Sequence, residues 1–165
     1  MIFTAFKKLS PIEEAKLKKI MDDPVLWAKA FIQARNPATM KTGPWIARKY
    51  QVEMMHDDSL RKVYRMGRRL GKTDTMCVEG LHKAANNKGF RILYVTPYEN
   101  QVDLIFARMK EIIADSPLIK TLVTRITNSP YKIEFSNGSQ IRGFTTGAAS
   151  GNGAASVRGQ KADTE

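Results

Sequence analysis

The sequence has little of what stabilises secreted or membrane-spanning proteins. Cys77 is the only cysteine among 165 residues, so no internal disulfide can form and we expect a reducing cytoplasm. No uninterrupted apolar run reaches membrane-spanning length, and residues 1 to 19 lack the basic-then-apolar layout of a secretory signal. We therefore expect no membrane partner. With 42% hydrophobic and 26% charged residues, the composition is typical of a globular domain with a sizeable core.

Acidic residues are also in short supply. The chain has 16 Asp and Glu against 27 Lys and Arg, which gives a formal net charge of +11. Such a surplus favours a polyanionic partner, and nucleic acid is the leading candidate. Because the cations are spread along the whole chain, a solvated basic surface explains the same charge. Composition alone leaves both interpretations open.

The first part of the chain is predicted to be helical. Residues 11 to 35 have the apolar spacing of two helices, the first with the possible cap Ser10 and the second opened by Pro24, and residues 36 to 44 form a turn-rich linker. Helical spacing resumes over residues 45 to 58. We therefore divide the chain into an N-terminal helical segment, residues 1 to 44, and an α/β region, residues 45 to 165.

Strand-like and helix-like patterns alternate in the α/β region. RKVYRM (residues 61 to 66) is predicted to be a strand, KTDTMCVEGLHKAA (72 to 85) a helix, RILYVT (91 to 96) a buried strand, and ENQVDLIFARMKEIIA (99 to 114) a second helix. This rhythm predicts a parallel sheet flanked by helices.

A hairpin and a loop follow this alternation. YKIEF and QIRGF are separated by Ser136-Asn137-Gly138-Ser139, and Asn-Gly between strand-like runs is a strong hairpin signal. Residues 145 to 156 are almost all small or polar and predict a mobile loop.

The stretch GRRLGKT, residues 67 to 73, is the most informative motif. It follows a predicted strand and opens a predicted helix, as a phosphate-binding loop must. Backbone amides of residues 68 to 73 can surround a phosphate, and Gly71 allows close approach. Lys72 would reach the β- and γ-phosphates, and the Thr73 hydroxyl would ligate Mg²⁺. The competing interpretation is a basic surface turn.

The loop departs from the standard pattern G-x-x-x-x-G-K-[ST], whose first glycine would fall on Met66. It resembles instead the form G-R-[QR]-x-G-K-[ST] found in large terminase subunits, the ATPase motors that package viral DNA. The resemblance implies that Arg68 contacts the nucleotide phosphates and is tied to hydrolysis, whereas Arg69 stands where many members have glutamine. The implied nucleotide-binding residues are Gln51, Gly67, Arg68, Arg69, Leu70, Gly71, Lys72, Thr73 and Asp74, with ATP and Mg²⁺ as ligands.

Two positions outside the loop receive roles from the same resemblance. RKYQVEMM, residues 48 to 55, lies where the family places a glutamine that reads the adenine edge, so Gln51 is our candidate; an exposed helical glutamine is the alternative. Arg158-Gly159 is similar to the family's Arg-Gly before its acidic pair. Arg158 is thus a candidate catalytic residue beside Arg68 and Lys72, acting on a neighbouring subunit's ATP, or else a basic residue beside a flexible loop.

One expected motif is missing. No run of four apolar residues precedes an Asp-Glu pair, so the Walker B carboxylates, the coupling motif and the nuclease domain are expected beyond residue 165. The resemblance then implies a fragment of an ATPase motor that moves double-stranded DNA into a procapsid in the infected cell's cytoplasm. It also implies a portal protein, a small terminase subunit and a homo-oligomeric ring as partners.

Two other functions stay open. A helicase or other P-loop remodelling ATPase would share residues such as Gln51 and Lys72, although the arginine pair in the loop argues against it. A non-enzymatic basic DNA-binding module would contain Gly-Lys-Thr by chance.

The missing carboxylates generate a first prediction. The purified 165-residue chain should bind nucleotide weakly without turning it over, because no acidic pair holds Mg²⁺ and orients water. Phosphate release is the measurement, and release that disappears in Lys72→Ala would contradict the expectation.

Overall fold

A computed structural model describes residues 10–35 and 40–146. Six helices and six strands lie in those two ranges. The helices are α1 (Pro11–Asp22), α2 (Pro24–Phe31), α3 (Lys49–His56), α4 (Lys72–Asn86), α5 (Glu99–Asp115) and α6 (Pro117–Leu122). The strands are β1 (Gln33–Arg35), β2 (Thr42–Pro44), β3 (Arg91–Thr96), β4 (Val123–Asn128), β5 (Tyr131–Phe135) and β6 (Gln140–Thr145).

The two predicted N-terminal helices are confirmed by α1 and α2. Ser10 and Glu13 form a capping box at the start of α1, and the Asp23 side chain accepts hydrogen bonds from two amides at the start of α2. The prediction that helix continues to residue 35 is wrong. Ile32 is extended, and β1 after it pairs antiparallel with β2, which lies in the predicted linker.

The main sheet has the strand order β3-β6-β5-β4. Only β3 and β6 are parallel; β5 pairs antiparallel with both β6 and β4. The predicted parallel sheet is therefore a mixed one. The predicted hairpin is confirmed by β5 and β6, and Gly138 supplies the positive φ of 87° in its turn.

Helices α4 and α5 pack side by side on one face of this sheet. Tyr94 of β3 lies opposite Gly143 of β6, and the Tyr94 hydroxyl donates to the Met76 carbonyl of α4 at 2.6 Å. Cys77 of α4 is fully buried against α5, and burial raises its thiol pKa to about 12. Cys77 is thus a packed side chain rather than a reactive thiol.

The predicted strand at residues 61 to 66 is wrong. The segment has no regular structure, and the Val63 side chain is 96% exposed. A strand needs a hydrogen-bonded neighbour, and no strand in the described ranges pairs with this segment.

The prediction that RILYVT, which forms β3, is a buried strand holds for one face only, because Tyr94 and Thr96 are buried whereas Val95 is 45% exposed. Strand β3 lies at one edge of the mixed sheet and β4 at the other, and no strand in the described ranges pairs with the outer side of β3.

The other helix predictions are confirmed: α4 and α5 begin at the predicted residues 72 and 99, and only the start of α3 is shifted. Helix α3 begins at Lys49 rather than residue 45, because Arg48 is extended and the Trp45 amide donates to the Ile32 carbonyl at 3.0 Å. Strand β4 and helix α6 were not predicted. The mobile loop predicted for residues 145 to 156 falls almost wholly outside the described residues.

The C-terminal end of α4 is fastened to the hairpin turn. The Asn137 side-chain amide donates to the carbonyls of Ala84, Ala85 and Asn87 at 2.8 to 3.2 Å. The first two carbonyls belong to the last turn of the helix and the third to its C-cap residue, where no intrahelical donor is available. The turn between β5 and β6 therefore caps α4.

Gly143 allows the close approach of α5 to the sheet. A Cβ atom there would lie 2.5 Å from Val102 Cγ1 and 2.7 Å from Phe106, both buried.

We predict that Gly143→Ala lowers the free energy of unfolding by about 1–3 kcal/mol through overpacking, measured by urea denaturation. Gly43→Ala is the control, since nothing lies within 4 Å of its added Cβ; equal effects of the two substitutions would contradict the packing argument.

Candidate functional site

The loop before α4 has a backbone shape suited to anions. Gly67 to Leu70 are exposed, Arg69 has a φ of 60°, and Gly71 has a φ of 75° and a ψ of 21°. Left-handed residues in such a turn point successive amides into one concavity. Arg69 is a non-glycine residue in this sparsely populated region, a strain that often accompanies a functional turn.

Amides at this turn are available to a ligand. The first helical hydrogen bond of α4 runs from the Thr75 amide to the Gly71 carbonyl at 2.9 Å, so the amides of residues 72 to 74 precede the helical ladder. Within residues 10–35 and 40–146, no acceptor takes the amides of residues 68 to 71. The helix N-terminus adds partial positive charge at the same place.

The Lys72 side chain folds back over the loop. Its Nζ donates to the Met66 carbonyl at 3.0 Å and to the Gly67 carbonyl at 2.7 Å. The ammonium therefore lies at the mouth of the turn, where phosphate oxygens could replace these carbonyls. The Thr73 side chain is exposed beside it. The loop thus fits a polyphosphate.

A cavity of about 460 Å³ lies at the loop. Its lining residues are Arg68, Arg69, Leu70, Gly71, Lys72, Thr73, Asp74 and Arg108. Seven of these eight were predicted from the sequence, and Gly67 lies in the same loop. Whether they bind nucleotide stays a prediction. No group of three His, Cys, Asp or Glu side chains that could hold a metal ion occurs in the described part of the chain. The proposed Mg²⁺ ligand in this region is the Thr73 hydroxyl, and that role stays a prediction.

Helix α3 supports the loop from behind. The Tyr50 hydroxyl donates to the Leu70 carbonyl at 2.7 Å, and Gln51 Nε2 donates to Thr75 Oγ1 at 2.8 Å and to the Gly71 carbonyl at 3.4 Å. Gln51 Oε1 accepts from the Arg48 amide at 2.9 Å. Two successive residues of α3 thereby hold two successive carbonyls of the loop.

Gln51 is only 5% exposed, with both ends of its amide engaged. The alternative of an exposed helical glutamine is wrong. The predicted contact with adenine stays a prediction, and it would require Gln51 to exchange one of these partners.

Asp74 is committed to protein partners. Its Oδ2 accepts from Trp45 Nε1 at 2.6 Å, and its Oδ1 accepts from Arg108 Nε at 2.6 Å and lies 2.6 Å from Arg108 Nη2. Arg108 Nη1 also donates to Glu111 at 3.0 Å. The predicted nucleotide-binding role of Asp74 is untested, and these contacts give its carboxylate a different use in this conformation.

Sequence reasoning missed Arg108 altogether. It lies on α5, 34 positions from Asp74, and no motif connects the two. The only sequence signal is that a basic residue stands beside the apolar stripe of α5.

Arg158, the third predicted catalytic residue after Arg68 and Lys72, lies outside the described residues.

The fold and the loop together define an α/β domain whose loop before α4 has the shape of an anion site. No helix in residues 10–35 and 40–146 is long and apolar enough to span a membrane. No protein-family model matches the chain, and no curated protein matches it. Solved structures are more informative.

The chain is similar to the large terminase of bacteriophage HK97, with a TM-score of 0.64 and 13% identity over 76% of this chain. It is also similar to the large terminase ATPase domain of Thermus phage P74-26, with a TM-score of 0.58 and 17% identity over 72% of this chain. A mutant of that domain, in which alanine replaces one arginine, gives a TM-score of 0.52 and 17% identity over 62% of this chain.

The chain has the fold of phage large terminase ATPase domains. The resemblance inferred from GRRLGKT is therefore confirmed at the level of the fold. The match spans 27% of the HK97 chain and 51% and 47% of the two P74-26 chains, about a quarter and about half of their lengths.

We predict that Gln51→Leu loosens the loop. Replacing the amide leaves the part-buried Arg48 amide and Gly71 carbonyl and the buried Thr75 hydroxyl with fewer partners, so the free energy of unfolding should fall by about 1–3 kcal/mol. Hydrogen exchange at the Thr75 amide should accelerate, because that bond ends on the same carbonyl. Gln101→Leu, at an exposed position on α5, is the control. Unchanged exchange in Gln51→Leu would show that α3 does not hold the loop.

Proposed function

We propose that this chain is part of the ATPase motor of a viral large terminase subunit. The observation that carries the proposal is the loop before α4, where unpaired amides and the Lys72 ammonium surround one concavity. The fold shared with large terminase ATPase domains supports the same function.

Four loop residues have roles in this proposal. Lys72 exchanges its carbonyl partners for the β- and γ-phosphates of ATP, while Arg68, exposed at the rim, neutralises phosphate charge. The left-handed Gly71 keeps side-chain atoms away from the phosphates, and the Thr73 hydroxyl ligates Mg²⁺. When bound, Mg²⁺ supplies further charge neutralisation at the phosphates. We keep Arg158 as the proposed residue that acts on a neighbouring subunit's nucleotide.

The residue that orients water is proposed to come from an acidic pair outside the described ranges. The free edge of β3 supports this proposal, because an unpaired strand edge accepts a further strand. A groove beside that edge, between α1 and α4, leaves room for it. An apolar strand ending in Asp-Glu there would be the missing Walker B segment.

The whole protein is proposed to move double-stranded DNA into a procapsid and to cut it with a C-terminal nuclease. The net charge of +11 supports contact with the DNA backbone rather than with its bases. The proposed partners are the portal protein, the small terminase subunit and further copies in a ring. The proposed location is the host cytoplasm, at the portal during packaging.

A helicase-like ATPase would use the same loop differently. The exposed Arg68 and Arg69 favour the terminase, since helicases usually have small residues at those positions. In the full-length protein, stimulation of ATP hydrolysis by the portal protein would support a terminase, whereas stimulation by nucleic acid alone would support a helicase.

We predict that Lys72→Ala weakens binding of a fluorescent ATP analogue to the full-length protein by about tenfold or more, because charge-assisted contacts to phosphate are lost. Hydrolysis should fall to background. The control, Lys88→Ala, removes an exposed lysine beyond the end of α4 and should change neither measurement. Salt-dependent DNA binding without any nucleotide binding by the unmodified protein would instead favour a non-enzymatic DNA-binding module.

A further inference from the structure

Arg108 brings a fourth cationic side chain to the wall of the phosphate cavity. The other three, Arg68, Arg69 and Lys72, belong to the loop itself, whereas Arg108 comes from the middle of α5. Its side chain is 28% exposed, so it is neither buried in the core nor free in solvent. The position of α5 against α4 is what brings it there, since Cys77 Sγ approaches the Ile105 carbonyl one turn away.

The guanidinium is held in one orientation. Nε and Nη2 face Asp74 Oδ1, Nη1 faces Glu111, and Trp45 Nε1 fixes the second oxygen of Asp74. A guanidinium has five N–H donors, and these contacts use three of them. The remaining two are on the same rigid, planar group, which is suited to phosphate oxygens.

Charge also favours an anion of high valence at this point. The cavity wall has one carboxylate, Asp74, against four cations. Asp74 is paired with Arg108 and with the Trp45 indole, so the positive charge of the loop arginines and Lys72 is left uncompensated at the wall. A triphosphate matches this excess better than a diphosphate does.

We propose that Arg108 contacts the terminal phosphate of a nucleoside triphosphate from within the same subunit, and that Asp74, Trp45 and Glu111 position its guanidinium. The proposal rests on the proposed function of the loop. It assigns to α5 the discrimination between triphosphate and diphosphate. The competing role is purely structural: the Arg108–Asp74 ion pair would hold α5 against α4 without contacting a ligand, a role that we call the structural clamp.

The test measures dissociation constants of the full-length protein for a non-hydrolysable ATP analogue and for ADP. In Arg108→Gln we expect affinity for the triphosphate to fall by about tenfold, while affinity for ADP changes by less than about twofold. Arg125→Gln, an exposed arginine on β4, is the control and should leave both constants unchanged. Equal weakening for both nucleotides together with a lowered Tm, or no change at all, would overturn the proposal in favour of the clamp.

A second variant tests whether weaker binding comes from the lost Arg108 contact or from repulsion by Asp74, because removing Arg108 leaves the Asp74 carboxylate with its Trp45 hydrogen bond but without a neutralising cation. In the double variant Asp74→Asn/Arg108→Gln, the triphosphate should still bind about tenfold more weakly than in the unmodified protein. Recovery of normal affinity would mean that the loss came from Asp74 and would overturn the proposal. Two further results tell this inference apart from the proposed function. If the unmodified protein binds no nucleotide, the proposed function fails. If Lys72→Ala abolishes nucleotide binding but Arg108→Gln does not weaken it, only this inference fails.

Discussion

The carbonyl of Gly71 is the point on which the site depends. It accepts hydrogen bonds from the Thr75 amide at 2.9 Å, from Thr75 Oγ1 at 3.0 Å and from Gln51 Nε2 at 3.4 Å. These contacts fix the direction of the peptide that enters α4, and with it the direction of the loop amides. Residue 71 is in the left-handed region, and a Cβ there would lie 2.9 Å from Gln51 Nε2. Both features favour glycine at residue 71.

Two shells of interactions surround this point, and they have different tasks. The inner shell consists of amides and cations that face the cavity. The outer shell consists of Tyr50 and Gln51 on α3 and Trp45 before it, each of which holds a loop or helix atom in place, whereas Arg108 on α5 belongs to both shells, since it lines the cavity and binds Asp74. The outer shell joins segments far apart in the sequence, so the loop can be strained and exposed yet keep one conformation.

Sequence reasoning found what depends on local chemistry. The Ser10 cap of α1, the helical patterns of α4 and α5, and the Asn-Gly turn between β5 and β6 each lie within a few residues, and each was predicted. The loop before α4 is also local, and seven of its predicted residues line one cavity.

The errors concern pairings between distant segments. A strand was predicted at residues 61 to 66 from composition, but a strand also needs a neighbour, which the described chain does not give it. Strands β1 and β2 have three residues each, too few for a periodic pattern. Arg108 meets Asp74 only because α5 lies against α4, and nothing near either residue in the sequence indicates that contact.

The cap that Asn137 provides has a mechanical consequence. Helix α4 has the candidate anion-binding loop at its first turn and the β5–β6 turn at its last, and its 15 residues extend over about 22 Å. The two turns are therefore mechanically connected through one helix, although they are far apart in the sequence.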